Sequence, residues 1–474
     1  MVMGELVLDT ELLIIGSGPG GYGAAFRAAD LGLEVTMVDP SLRPGGVCLF
    51  RGCIPSKTYL FLSELIHDVQ RATDMGISFG QPTIDLSGLR AWCDEVVNSM
   101  ADGLVALCKQ RGIELIAGYA QFEDNKTVRL SNSSVRRITF ANVVIATGSS
   151  PISLSGISTI IGGRIMNSTN ALALEEIPET LLVVGGGYIG LELGLLYSGL
   201  GSGIRLVEFE DRLLSGVDRD LVAPLQRRLT QSFESIRLST RVKELRETES
   251  GVEVTLETGD ETVVENVDRV LVAIGRTPNS DDLGLENTQI TVGPKGEIVV
   301  DDHQRTSESH IFAVGDVTGG IMLAHTATRE GKVAAEVIAG QPSAYDVRAI
   351  PAVVYTDPQI AWCGLTEEQA LQANIEVKIQ KFPWKYSGRA KTMGATDGLT
   401  KMLVDPENGR ILGLGIVGRN TEGLIAEGVL AIEMGALAED LALCMHPHPT
   451  LSETEGEAAE LFLGNATHIL SKKA

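Results

Sequence analysis

Apolar runs that end in glycine punctuate this chain. Leu12-Leu13-Ile14-Ile15 leads straight into Gly-Ser-Gly-Pro-Gly-Gly, an amphipathic stretch follows, and a second apolar run closes at Asp39. A short apolar run bounded by glycine reads as a buried strand, and apolar positions recurring every three to four residues read as a helix. Residues 11–40 therefore predict strand, glycine turn, a helix beginning near Gly20, and strand. The same order returns at 180–210, where Leu181-Leu182-Val183-Val184 enters a glycine triplet and the last strand ends at Glu208. Two further apolar strands, within 142–151 and 268–279, each end in a small residue and glycine after a hydrophilic, strand-rich insertion. A buried strand at 310–314 then runs into Gly315-Asp316 and a helix. Helices are also expected over Lys57–Ala72 and Leu89–Arg111, and strands over Val252–Val264.

The pattern changes at Pro351. An alternating strand, a hairpin turn at Asp405–Gly409 between two strands, and a helix near 423–436 predict an α+β region. Near the end, Pro447 and Pro449 impose an extended segment, after which Ser452 and Glu455 have capping-box spacing at the start of a helix. Alternating strands and helices earlier in the chain predict an α/β fold with parallel sheets.

Both strand–glycine–helix units carry chemistry. Gly16, Gly18 and Gly21 form G-x-G-x-x-G, as do Gly185, Gly187 and Gly190. That pattern supplies a tight turn, close backbone approach to a pyrophosphate, and a helix N-terminus facing the phosphates. Asp39 and Glu208 stand where a carboxylate takes a ribose hydroxyl. An acid at Glu208 accepts the adenosine 2′-hydroxyl and repels a 2′-phosphate, which favours NAD over NADP. Gly315-Asp316 admits two readings, an ordinary turn or a carboxylate placed for a ribityl hydroxyl.

Length and charge narrow the setting. At 474 residues, more than one domain is expected. With 39 basic against 62 acidic residues and a net charge of −23, a nucleic acid or an anionic membrane is a poor partner. The acidic start lacks the basic region of a signal peptide, and no apolar run reaches the length of a membrane helix. A soluble, cytoplasmic protein is expected.

Six cysteines are too few for a secreted disulfide scaffold, and only Cys48 and Cys53 are close in sequence. On a continuous helix, residues five apart have Cα atoms about 8.6 Å apart, beyond the ~7 Å that a disulfide spans. A bridge would need the backbone to leave the helix, and Gly52 and Pro55 help it do so. A metal clip lacks further ligands nearby, and no metal is expected. Two inert buried cysteines are disfavoured by their place between a glycine pair and Pro55-Ser56-Lys57. Cys93, Cys108, Cys363 and Cys444 read as buried apolar residues.

Taken in order, GSGPGG, GGVCLFRGCIPSK, VVIATGS, GGGYIGLELG, VAIGRTPN, AVGDV and HPHPTLSE span nearly the whole chain. The arrangement closely resembles the FAD-dependent pyridine nucleotide-disulfide oxidoreductases, and within them the members that oxidise dihydrolipoyl groups. The resemblance implies two Rossmann-like dinucleotide-binding domains and a C-terminal α+β dimerisation domain. Expected boundaries are 1–152 (FAD, first part), 153–277 (NAD), 278–348 (return to the FAD region) and 349–474 (dimerisation).

It also implies one tightly and non-covalently held FAD per subunit on Gly16, Gly18, Gly21 and Asp39, with Lys57, Ala120, Gly148, Asp316 and Ala324. NAD would use Gly185, Gly187, Gly190, Glu208, Val242, Gly275 and Arg276. Cys48 would exchange with substrate, Cys53 would pass electrons to the flavin, and Lys57 would pair with Glu192. His448, oriented by Glu453, would be the base and would come from the other subunit of a homodimer. His446 would be supporting or structural. Implied partners are lipoylated carriers: the acyltransferase of a 2-oxo acid dehydrogenase complex, a glycine-cleavage carrier, or a dedicated lipoate-binding protein of sulfur metabolism.

The family's usual motif has threonine before the first cysteine and asparagine two after it. Here Val47 and Phe50 stand there, which is expected to put an aromatic, with the cationic Arg51, between the thiols and to favour a non-standard carrier. Competing readings are a reductase of another small disulfide such as glutathione, disfavoured by Glu208, and a flavoprotein scaffold or redox sensor, disfavoured by retention of Cys48, Cys53, His448 and Glu453.

Overall fold

The computed structural model describes residues 7–80, 82–154 and 163–470. The first six residues of the acidic start and the last four of the tail lie outside that set, as does the stretch 155–162 beside the expected 152/153 boundary. Strand β1 (Val7–Ile15) feeds helix α1 (Pro19–Asp30) and strand β2 (Val35–Asp39), which lies parallel to β1. Strand β3 (Glu114–Ala117) extends the sheet beyond β2. On the other side β1 pairs in parallel with Arg137–Ile145, and that strand pairs with Ile311–Ala313. A parallel sheet covered on both faces needs continuous apolar strands rather than alternating ones. Leu12, Leu13 and Ile14 are accordingly fully buried.

The chain leaves this sheet after Ile145 and returns to it at Ile311. In between lies another sheet, of five strands, ordered Ser235–Arg237, Gly203–Val207, Thr180–Val184, Arg269–Val272 and Ile165–Met166. A three-stranded antiparallel sheet is inserted at 241–267, and the strands expected over 252–264 are its hairpin, Val252–Thr258 and Glu261–Val267. On return, the helix Ala324–Ile338 packs on α1 so closely that a Cβ at Gly331 would come within 2.3 Å of the Gly20 carbonyl oxygen.

The C-terminal region is a five-stranded sheet of antiparallel pairs, ordered Ala352–Val354, Gln359–Gly364, Ile411–Gly418, Leu399–Val404 and Lys378–Pro383. The helix Thr421–Met434 packs on it, as does Glu453–Leu463. Among the described residues no helix is long and apolar enough to cross a membrane.

Several local expectations need correction. Helix α3 (Cys53–Arg71) starts before Lys57 and includes the second cysteine, because Pro55 is tolerated in a first turn where its missing N–H has no helical partner. Helix α4 (Leu86–Gln110) starts earlier too, since Asp85 accepts a hydrogen bond from Ser87 N–H and caps it. No Ser452–Glu455 capping box forms. Thr450 N–H donates to Glu453 Oε2 (2.7 Å) instead, and both carboxyl oxygens of Glu455 are buried without a hydrogen-bond partner among the described residues. Cys93, Cys108 and Cys363 are buried, whereas Cys444 is exposed, because its helix ends there and the chain turns outward.

Candidate active site

The two glycine loops have the same geometry. Gly16 and Gly185 take φ of +99° and +110°, where a Cβ would sit 2.3 and 2.4 Å from the carbonyl oxygens of Ala146 and Ala273. A side chain is excluded by both conformation and contact. Gly21 and Gly190 lie against their own loops, since a Cβ there would be 1.9 and 2.1 Å from Gly16 O and Gly185 O. Gly187 faces open space, with nothing within 4 Å of an added Cβ, and at Gly18 the nearest atom is 3.9 Å away. The middle glycine of each loop is thus the one that leaves room for a phosphate at a helix N-terminus.

The acids at the strand ends brace these loops. Asp39 accepts Ser17 N–H (2.9 Å) and Ser41 N–H (2.8 Å). Glu208 accepts Gly186 N–H (2.5 Å) and Glu210 N–H (2.7 Å). Each carboxylate is therefore oriented before any ribose arrives. These residues fit a dinucleotide at both loops.

The cysteines sit at a break between two helices. Helix α2 (Gly46–Arg51) carries Cys48 and α3 opens on Cys53, with Gly52 between them at φ −146°, ψ −115°. The backbone leaves the helix where the bridge requires it to. The sulfurs are free thiols in hydrogen-bonding contact. Gly45 N–H donates to Ser17 O (2.8 Å), and a Cβ at Gly46 would lie 2.6 Å from Gly18 Cα, so the thiol segment is tied to the first glycine loop.

The thiols are electrically unequal. The hydrogen bond from Cys48 is the largest influence on Cys53, and with Lys57 it outweighs burial to lower that thiol to about 7. The same contact and burial push Cys48 far up. The pair thus holds one proton on Cys48 and favours thiolate at Cys53 near neutral pH.

Phe50 does not lie between the sulfurs. It is half-buried against the core around Leu49, Tyr59 and Val97, and the Arg43 guanidinium lies 5.9 Å from its ring centroid while bonding Asn98 and Asp102 of α4. Its apolar ring gains more from that core than from the open cleft. Arg51 is exposed.

Lys57 and Glu192 meet as expected, with Lys57 Nζ 2.7 Å from Glu192 Oε2. Glu192 is only 3% exposed, and its other oxygen accepts Tyr355 N–H at 2.9 Å. The Lys57 ammonium also lies 4.5 Å from the Tyr355 ring centroid. Both oxygens of this buried carboxylate are therefore partnered, as burial of such a group requires. Tyr355 was not legible as a site residue, since its roles are a backbone N–H and a ring face.

His448 Nδ1 lies 2.8 Å from Glu453 Oε1, with the ring largely exposed. Against burial, Thr450 N–H and His448 hold Glu453 below the usual carboxylate range. The dyad makes no hydrogen bond to Cys48 or Cys53 among the described residues. His446 pairs separately with Glu427 at 3.0 Å.

Asp316 is half-buried and accepts a hydrogen bond from the Ser149 hydroxyl. Arg276 donates to Ser149 Oγ (2.7 Å) and Ser149 O (2.6 Å) and lies 3.9 Å from Asp316. Its guanidinium thus bonds the strand that adjoins the first unit's carboxylate, while its charge also reaches Tyr188 in the second glycine loop. Gly148 and Gly275 take positive φ at strand ends, Ala324 opens its helix, and Val242 and Ala120 are buried on strands. Sequence reasoning missed Glu330, whose carboxylate takes Gly315 N–H at 2.6 Å and is raised mainly by burial.

Comparison with known proteins agrees with this geometry. A family model described as pyridine nucleotide-disulphide oxidoreductase matches residues 10–331, and the dimerisation domain of the same family matches residues 350–459. A dihydrolipoyl dehydrogenase of Geobacillus stearothermophilus is 45% identical over 473 residues, covering 100% of both chains. One of Bacillus subtilis is 41% identical over 472 residues, 99% of this chain and 100% of its own. The crystal structure of LpdA from Mycobacterium tuberculosis superposes with a TM-score of 0.87 at 28% identity, covering 95% of this chain and 99% of that one. With two glycine-loop units, a thiol pair between them and a C-terminal α+β dimerisation domain, the chain belongs to the pyridine nucleotide-disulphide oxidoreductases.

Proposed function

We propose that this protein is a dihydrolipoyl dehydrogenase, oxidising carrier-bound dihydrolipoyl groups to lipoyl while NAD⁺ becomes NADH and a proton is released. The observation that carries the reading is the unequal thiol pair: Cys53, lowered to about 7, sits beside Lys57–Glu192 and next to the first glycine loop. Relatives bearing that name, similar over their full length, support it.

The family implies FAD and NAD, and the two loops suit them: FAD on the Gly16 loop with Asp39 and Asp316, NAD on the Gly185 loop with Glu208. FAD, when bound, supplies the two-electron chemistry that joins dithiol oxidation to nicotinamide reduction. The chain's own residues do the rest. One substrate thiolate attacks Cys48 of the oxidised Cys48–Cys53 pair, forming a mixed disulfide and expelling Cys53 as a thiolate. A low-pKa sulfur is the better leaving group, which assigns departure to Cys53. The second substrate thiolate then attacks the substrate sulfur of the mixed disulfide, closing the lipoyl ring and releasing Cys48.

His448, held by Glu453, takes the protons of the attacking thiols and returns one to Cys48. Because this dyad makes no hydrogen bond to the thiols of its own chain, we read it as serving the partner subunit of a homodimer, in keeping with the family's dimerisation domain. Lys57 supplies positive charge beside Cys53, and the buried Glu192 fixes its position.

The test is a steady-state assay with dihydrolipoamide or reduced glutathione as donor and NAD⁺ or NADP⁺ as acceptor. Dihydrolipoamide with NAD⁺ should be the preferred pair, and Cys53→Ser should abolish it. Turnover restricted to glutathione, or absent with dihydrolipoamide, would sink the proposal.

A further inference from the structure

Residues 208–218 join the ribose-side acid of the second glycine loop to the helix Arg219–Ser232, and they fold back over that loop. Leu214 N–H donates to Gly186 O (3.1 Å), and a Cβ at Gly186 would meet Leu213 at 2.6 Å. Both leucines are buried. One end of the segment is held by Glu208 on Gly186 N–H. Its other end is held by the C-terminal domain.

Lys401, on the strand Leu399–Val404, is fully buried. Its ammonium lies 2.8 Å from Asp218 and 3.0 Å from Asp220, and it pairs with Glu367. Glu367 N–H donates to Asp218 (3.0 Å), and Lys381 reaches Asp220 at 2.6 Å. Nearer the middle of the segment, Arg212 donates to its own Ser215 O (2.9 Å) and pairs with Glu368 at 2.7 Å. Asp218, Asp220 and Glu367 converge closely enough to hold a cation, and the Lys401 ammonium fills that role. Buried ion clusters are weak stabilisers compared with apolar packing, because desolvation offsets attraction, yet removing one partner of such a cluster is strongly destabilising. The carboxylates at 218 and 220 belong to the nucleotide unit, and their cation does not.

We propose that Lys401, with Glu367 and the Arg212–Glu368 pair, latches the 208–218 segment and so sets, from the C-terminal domain, the nucleotide affinity of the second glycine loop. The inference rests on reading that loop as the NAD site. Lys401 touches no nucleotide in this scheme. It is a positioning residue that acts through Asp218 and the leucine cover on Gly186.

The neighbouring residue gives the alternative that the test must separate. Thr400 Oγ1 lies 2.7 Å from Thr454 Oγ1, on the helix that carries Glu453. A change at Lys401 that merely disturbed the strand would therefore damage the base as well as the nucleotide loop.

The experiment uses the FAD-loaded full-length protein in three variants: Arg212→Ala, Lys401→Met combined with Asp218→Asn so that the cluster keeps its net charge, and Glu208→Ala. KM for NAD⁺, kcat and anaerobic flavin reduction by dihydrolipoamide without NAD⁺ are measured for each. The latch predicts a KM for NAD⁺ raised about tenfold in the double variant and by a smaller factor in Arg212→Ala, with flavin reduction by dihydrolipoamide unchanged. An unchanged KM in both latch variants, or parallel loss of both steps, overturns it. If the double variant does not fold, Arg212→Ala decides alone. Should Glu208→Ala also leave KM unchanged, the NAD assignment fails; should it raise KM while the latch variants do not, only the latch fails.

Discussion

Replacing Glu455 with glutamine should make the protein more stable, by an amount that depends on pH in a defined way. The side chain is fully buried, neither carboxyl oxygen has a hydrogen-bond partner among the described residues, and burial, with Glu427 nearby, pushes it up to about 9. In the unfolded chain a glutamate titrates near ~4.3. Between these values the folded state keeps a proton that the unfolded state has released, so stability falls by ~1.4 kcal/mol for each pH unit. At neutral pH the accumulated loss is roughly 4 kcal/mol per subunit, and above the folded value it levels off. Glutamine has the same shape and no proton to release, so the variant and the parent should agree near the unfolded value and diverge steadily as pH rises. Urea unfolding at fixed subunit concentration with saturating FAD, at several values across this window, measures the gap. A gap that is constant, or that narrows toward alkaline pH, would refute the reasoning.

Other expectations concern the thiols and the base. Cys48→Ala should raise the Cys53 thiol above about 7, because the hydrogen bond that lowers it most is gone, and Lys57→Met should raise it by less; labelled-cysteine NMR of the reduced protein reads both, and an unmoved titration would contradict the assigned causes. With the parent, the Cys53 thiolate population should grow as pH rises through that value and vanish well below it. His448→Gln should slow dihydrolipoamide oxidation roughly 100-fold or more while leaving NADH-driven reduction of an artificial acceptor intact. Glu453→Gln should give a smaller loss of the same kind, since it frees the ring without removing it. Equal loss in both assays would mean that the dyad holds the fold and not the proton.

What was legible in the sequence came from local rules. The glycine pattern at Gly16 and Gly185 was readable because backbone sterics forbid side chains there, whatever lies elsewhere in the chain. The break at Gly52 followed from helix geometry and disulfide reach. Helix starts were less legible: Cys53 and Leu86 come earlier than expected, since a proline in a first turn and an Asp85 cap extend helices beyond their apolar periods. Ser452 and Glu455 had capping-box spacing, yet Glu453 took the backbone donor at Thr450 and Glu455 turned inward.

By itself the sequence determined the two dinucleotide units and the acid at each strand end, which depend on residues near one another in the chain, where spacing converts directly into geometry. The roles of the thiol pair and of the His448–Glu453 dyad, five residues apart, came from the family resemblance of their motifs. Tertiary structure decided the contacts made at long range. Lys57 meets Glu192 across 135 positions and Lys401 meets Asp220 across 181. It sent Phe50 into the core and turned Arg276 toward Asp316. It also made Cys53 the lower thiol, because a thiol's proton affinity is set by the charges and hydrogen bonds that packing brings within reach.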